Sequence, residues 1–341
     1  MPEYPESLRA RVRDAFAGFI GNEDAVYGIQ RALLVALSAT PPMLDRALML
    51  SGAPSTGKTE IARRIAKCLA MPFVQIDGRA IRSRETLVEF MNDAMADTGL
   101  RAQPAGVRSG LTIQRYPPLV VLVDECHLIG SEVQQTLLTL LEASDRTAVI
   151  KGGAGRYVID AAQIGWVFAT TRPTDMDPAL RTRLTEIALV RYTQEQVVQM
   201  LDAKYGGRFS PDTIARIARV ARLVPRIAFD VARDVQDEIM TAVHVIDSRA
   251  GLRQVMRERG ILTESGLTRQ DIRYMQTLDR ERRPVSLKAL QGMLHDIQPQ
   301  IITEDVEPWL HQLGWIKISE RGRSLTTNGS LAVDRIKEMR L

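Results

Sequence analysis

The apolar positions of this chain follow two different periods. Short continuous runs, among them Ala47-Leu48-Met49-Leu50, Leu119-Val120-Val121-Leu122-Val123 and Trp166-Val167-Phe168-Ala169, have the length of buried strands. Between them, apolar residues recur every three or four positions. Ala25, Ile29, Ala32, Leu33 and Ala36 form one such set, and Ile61, Ile65, Cys68 and Leu69 another, each marking one face of a helix. The pattern predicts helices over 6–38 broken at Gly18-Phe19-Ile20-Gly21, a strand at 46–51, a helix at 60–70, a strand at 72–77 and a helix at 85–96. It then predicts a strand at 119–123, a helix at 131–141, two β segments around Lys151-Gly152-Gly153-Ala154-Gly155 and a strand at 165–172. Strands alternating with helices define a doubly wound α/β domain. Residues 97–118, punctuated by Gly99, Pro104, Gly106, Ser109-Gly110 and Pro117-Pro118, are expected to be a basic loop carrying Arg101, Arg108 and Arg115. Helices dominate from about 193 to 259, and beyond Gly260 the pattern changes to short helices with a terminal β-hairpin.

Composition narrows the class only a little. With 45% apolar and 25% charged residues the chain reads as an ordinary globular protein of two or three domains. No apolar run approaches the roughly 18 residues of a membrane span, and the N-terminus lacks a basic region followed by an apolar core. Two cysteines, Cys68 and Cys126, fit a reducing, cytoplasmic setting. Four scattered histidines give no zinc-like spacing. A net charge of +4 is compatible with nucleic acid as a partner.

Chemistry enters with Gly52-Ala53-Pro54-Ser55-Thr56-Gly57-Lys58-Thr59, which fits the phosphate-binding pattern G-x-x-x-x-G-K-[ST] between a strand and a helix. The glycines let backbone N–H groups turn toward phosphate oxygens, and the helix N-terminus adds positive potential. The expected nucleotide-binding residues here are Gly52, Ala53, Pro54, Gly57, Lys58, Thr59 and Glu60. Lys58 has the reach for the β- and γ-phosphates, and the Thr59 hydroxyl is a ligand for Mg²⁺. The apolar strand at 119–123 ends in Asp124-Glu125. Asp124 is placed to hold Mg²⁺ with Thr59, and Glu125 to orient or deprotonate the attacking water. Thr171 ends another strand and is a candidate to bond the γ-phosphate or that water.

These segments, followed by Ala169-Thr170-Thr171-Arg172-Pro173, Leu180-Arg181-Thr182-Arg183 and Val224-Pro225-Arg226, resemble AAA+ ATPases. The C-terminal part resembles the RuvB family of Holliday-junction branch-migration motors in particular. The residues that carry this are Gly266-Leu267-Thr268-Arg269, Glu307-Pro308-Trp309-Leu310, Gly314-Trp315-Ile316 and Arg321-Gly322-Arg323. The resemblance spans about residues 19–325. It implies an AAA+ core at 1–190, a small all-α lid at 191–260 and a winged-helix DNA-binding domain at 261–341. It also implies ATP and Mg²⁺ as cofactors, and a homo-oligomeric ring, a hexamer, that moves duplex or branched DNA held mainly by its phosphates. Under it Thr171 is sensor 1, Arg226 is sensor 2, and Arg183, eleven residues after Arg172, is the arginine finger acting on a neighbouring subunit, with Arg181 as its alternate. Phe19 and Ile20 would border the adenine together with Tyr192. Arg321 and Arg323 would meet DNA phosphates from the wing, with Gly322 permitting the close approach.

Three departures from that family pattern are visible. The stretch between Lys58 and Asp124 is longer, with the excess at 97–118. The hairpin at 146–160, where RuvB carries an apolar tip that docks on its partner RuvA, is polar here, which leaves a RuvA-like partner open. A basic wing position is Ile318, with Lys317 and Lys337 nearby to compensate. A second reading follows from the altered hairpin: an ATP-switched loader that acts on DNA without translocating. A protein-remodelling machine would need an aromatic pore loop, and 77–90 holds none of that kind.

Overall fold

In the computed structural model, which describes residues 4–142, 146–152, 155–242 and 247–339, contacts divide the chain into two units, Met1–Tyr192 and Thr193–Leu341. The first unit runs α1 (Glu6–Ala15), α2 (Glu23–Ser38), β1 (Ala47–Gly52), α3 (Lys58–Leu69), β2 (Phe73–Asp77), α4 (Arg84–Ala96), β3 (Gln103–Arg108), β4 (Leu111–Arg115) and β5 (Leu119–Asp124). It continues through α5 (Ser131–Leu140), β6 (Thr147–Gly152), β7 (Gly155–Asp160), β8 (Ile164–Thr170), α6 (Pro178–Thr182) and β9 (Leu184–Leu189). Five strands form a parallel sheet in the order β2-β5-β8-β1-β9. Its interior strands are buried on both faces. Along β5, Leu119, Val121 and Val123 enter one core with α4 and α5, while Val120 and Leu122 enter the other with α1 to α3. This two-sided burial is why the strand reads as an unbroken apolar run, each such side chain contributing about 1.5–3 kcal/mol.

Residues 97–118 are not a loop. They fold back as β3 and β4, and β4 pairs in parallel with β7, giving a second sheet in the order β3-β4-β7-β6. The turn between Arg108 and Leu111 is Ser109-Gly110 with φ of 51° and 78°. Positive φ at both central residues is the two-residue turn that matches strand twist, so Ser-Gly marks a hairpin here. Pro104 is tolerated because β3 is an edge strand.

The second unit comprises α7 (Gln194–Tyr205), α8 (Pro211–Val220), α9 (Pro225–Thr241), α10 (Ser248–Glu258), α11 (Arg269–Glu281), α12 (Leu287–Met293), α13 (Pro299–Ile301) and α14 (Glu307–Gln312), with a π-helical turn at Ile302–Val306. It ends with β10 (Ile316–Ser319), β11 (Gly322–Leu325) and α15 (Thr327–Glu338). The hairpin is therefore not terminal. Ala332, Val333 and Ile336 of α15 are buried in one core with Tyr274 and Leu278 of α11. The Thr326 hydroxyl caps α15 by accepting from Gly329 N at 3.1 Å. Among the described residues no helix is long and apolar enough to cross a membrane.

Candidate functional site

The site forms where β1, β5 and β8 end together. After β1 the chain enters the loop 53–57 and leaves it as α3, whose N-cap Gly57 has φ of 94°. Gly52 runs against Leu189, and a Cβ there would lie 2.4 Å from Leu189 O, so the loop base admits only glycine. Lys58 is buried, and its Nζ donates to Gly52 O (2.8 Å) and Ala53 O (2.9 Å), which holds the ammonium within the turn. Thr59 follows in the first turn of α3, and α3 packs against β5.

At the end of β5, Asp124 accepts from Gln75 Nε2 (3.1 Å) and from the amide of Glu125 (3.0 Å). The chain then turns through Glu125 in the left-handed region, φ 47°. Gly78 lies against this turn, donating its N–H to Asp124 O at 2.7 Å, and a Cβ at 78 would meet Glu125 O at the same distance. The Thr171 hydroxyl, just past β8, donates to Glu125 Oε2 at 3.2 Å. His127 Nδ1 lies 3.0 Å from Thr170 Oγ1 and 3.4 Å from Glu125 Oε2. The carboxylate of Glu125 is thus tied to the tip of β8 through two side chains. Gln75, Gly78, His127 and Thr170 are parts of this site that sequence reading missed. Their signal was position: Gln75 within β2, Gly78 and His127 just past β2 and β5, and Thr170 at the end of β8.

Phe19 and Tyr192 meet at the loop. A Cβ on Gly57 would lie 2.8 Å from Tyr192 Oη and 3.2 Å from Phe19 Cζ. Tyr192 donates to Thr56 O (3.0 Å), and burial raises its phenol pKa. Asn22 clamps this stretch, accepting from Val190 N (2.7 Å) and donating to Val190 O (3.3 Å). Ile20 is half-buried in the same segment. Glu60 bonds Arg64 (2.7 Å), and Arg64 in turn donates to Ala15 O and Ala17 O and lies over the Phe19 ring. Glu60 therefore acts on the segment carrying Phe19 through Arg64. Pro54 lies in the exposed part of the loop.

Arg183 is elsewhere. It precedes Leu184, which pairs with Ala47 at the start of β1, whereas the loop leaves from Gly52, which pairs with Leu189. Five residues at 3.3 Å each separate the two ends by roughly 17 Å, beyond the reach of an arginine side chain. The Arg183 Nη1 donates to Leu138 O (3.0 Å) and to the Glu142 carboxylate. Arg181 is held by Glu186 at 2.7 and 3.1 Å.

In the second unit Arg226 is the second residue of α9. Arg321 is exposed in the turn between β10 and β11. Arg323 points the other way. Its Nε and Nη2 donate to Glu307 Oε1 (2.9 Å) and Oε2 (3.3 Å), and Glu307 Oε1 also accepts from Tyr274 Oη at 2.9 Å. Glu307 is buried, and burial followed by the Glu307 charge raises the Tyr274 pKa. Arg323, expected to meet DNA phosphate, thus forms a fork pair with Glu307 that anchors the wing. Gly322 serves a similar end, because a Cβ would lie 2.4 Å from Val285 O, whose residue pairs with Arg323. Its close approach is to the protein's own backbone. Lys337 is held by Asp279 (2.8 Å) and Asp334 (3.3 Å), so it does not stand in for a free wing cation. Arg323→Ala would leave a buried carboxylate without its partner, and is expected to cost about 3–5 kcal/mol of stability, read from denaturant unfolding. An unchanged midpoint would show that the pair contributes nothing.

The donor set suits a magnesium nucleotide. One hydroxyl and one carboxylate next to a phosphate-binding loop is the sparse protein share that Mg²⁺ takes.

Fold and site together define an AAA-class ATPase carrying a winged helix. Residues 48–192 match the model of the ATPase family associated with various cellular activities, and residues 264–333 match that of the RuvB C-terminal winged helix domain. The chain belongs to the RuvB family. It is 30% identical over 303 residues to the Holliday junction branch migration complex subunit RuvB of Gluconobacter oxydans, covering 86% of this chain and 80% of that protein. The subunit of the same description from Ehrlichia canis is 26% identical over 341 residues, covering 97% and 94%. In fold, the Thermotoga maritima RuvB branch migration motor superposes with a TM-score of 0.68 at 22% identity, covering 94% of this chain and 95% of that one. The tip of the β6–β7 hairpin, Gly153-Ala154, lies outside the described residues.

Proposed function

We propose that this chain is a ring-forming, ATP-driven motor that moves duplex DNA at Holliday junctions in the cytoplasm, with residues 1–190, 191–260 and 261–341 working as ATPase core, lid and DNA-binding domain. Lys58 and the loop amides hold the β- and γ-phosphates, and Phe19, Ile20 and Tyr192 border the adenine. Thr59 and Asp124 hold Mg²⁺, which when bound neutralises phosphate charge. Glu125 takes the proton of the attacking water, and Thr171 keeps the carboxylate turned toward it. Arg183 of a neighbouring copy stabilises charge on the transferred phosphoryl group. Arg226 reports nucleotide state to the lid, and Arg321 contacts DNA phosphate. The observation that carries this reading is the roughly 17 Å between Arg183 and the loop along one rigid sheet. An arginine so placed does not reach its own loop, which supports a role on a neighbouring subunit, and a hexamer is the ring that the family resemblance suggests.

The test is DNA-stimulated ATPase on four-way junctions, forks and single strands, with and without a RuvA protein. Stimulation greatest on four-way junctions is expected. An equal rate on all three substrates and without DNA would overturn the motor reading.

A further inference from the structure

Helix α10 carries three arginines, Arg249, Arg253 and Arg257, at i, i+4 and i+8. All three are exposed. The opposite face packs inward through Leu252 and Val255, and buried Gly251 lets the helix approach Val235 and Ile239 of α9. Several acids of α10 and its neighbouring helices are already engaged. Asp247 caps the helix by accepting from Ala250 N (2.7 Å), Glu258 accepts from Gln254 (2.7 Å), Asp234 is taken by Arg259, and Asp212 bonds Arg216 (2.7 Å). Among the described residues none of the three arginines forms an ion pair, whereas Arg216 on α8 meets both Asp212 and Glu264.

Like charges at i, i+4 repel, and a cation in the first turn of a helix opposes its dipole. The sequence thus keeps an arrangement that works against the helix and that no ion pair among the described residues offsets, Asp212 attracting Arg249 without pairing with it. The spacing is regular, with 6 Å of rise per step and about 12 Å in all. Each strand of a duplex advances about 3.4 Å per phosphate, so the stripe spans three to four phosphates. No residue of α10 is among the exposed large hydrophobics, whereas protein interfaces have apolar or aromatic cores. Guanidinium groups match phosphate oxygens in charge and fork geometry.

We infer that the Arg249–Arg253–Arg257 stripe of α10 is a second DNA contact, separate from the wing, that binds the phosphate backbone of duplex DNA. This rests on the DNA-motor reading above. Because the stripe lies on the lid helices, DNA held there would feel lid movement directly.

The test is the salt dependence of binding to a fluorescent duplex, measured on the full chain. For the triple variant Arg249→Gln, Arg253→Gln, Arg257→Gln, the slope of log K against log salt is expected to fall by about 2.7, at roughly 0.9 per phosphate contact. The corresponding triple Lys variant keeps the charge and is expected to retain the slope, which separates lost contacts from lost folding. An unchanged slope in the Gln variant overturns the stripe proposal. So does an unchanged slope accompanied by weaker ring assembly, which would assign α10 to a contact between copies. If the wild-type chain shows no salt-dependent duplex binding, the motor reading itself fails. If it binds and only the Gln variant is unaffected, the stripe alone fails.

Discussion

Arg183→Ala is expected to lower ATP turnover about 10³-fold or more while leaving nucleotide binding close to wild type. The reasoning is geometric. Arg183 sits beside Leu184, paired with the start of β1, and the phosphate loop leaves the other end of that strand. No side-chain rotation brings the guanidinium to its own loop, so its loss cannot disturb binding within one subunit. In the proposed ring it removes a fixed positive charge from the transition state formed on the neighbour. Mixing makes the claim sharper. Lys58→Ala subunits lack the loop cation but keep the finger, and Arg183→Ala subunits have the reverse defect. A mixture should recover turnover that neither has alone. Wild-type turnover in Arg183→Ala, or no recovery on mixing, would sink the assignment in trans.

Glu125→Gln is expected to reduce hydrolysis about 10²–10⁴-fold with ATP still bound. The amide keeps the shape of the side chain and a carbonyl oxygen for the Thr171 hydroxyl, which now donates to Glu125 Oε2 at 3.2 Å. It cannot take a proton. The turn at φ 47° and the Gly78 contact hold the backbone, so the substitution should change chemistry without moving the strand end. Single-turnover hydrolysis and titration with a fluorescent ATP analogue separate the two effects. Loss of binding equal to the loss of rate would mean that Glu125 shapes the pocket and is not the base.

The strand ends and the loop were legible because their signals are local. An apolar run followed by Asp124-Glu125, and a glycine-lysine loop followed by a helical period, need no knowledge of distant residues. Thr171 was legible for the same reason, as the polar end of a buried strand. The hairpin in 97–118 carried a local signal too, the alternation Leu111-Thr112-Ile113-Gln114 after Ser109-Gly110, but the surrounding glycines and prolines outweighed it. Its parallel pairing with β7, more than forty residues on, had no local signal at all.

The sequence by itself pointed to the class of nucleotide chemistry, to most of the order of elements and to the candidate residues for that chemistry, because periodicity and loop motifs are short-range properties of the chain. Tertiary structure decided which of those residues are free to act. Arg321 and Arg323 look alike in sequence, yet one is exposed and the other is drawn onto buried Glu307, because an unpaired carboxylate in that core would cost more than surrendering a surface cation. The same long-range packing set Arg183 far from its own loop and left the three arginines of α10 exposed, with no ion pair among the described residues.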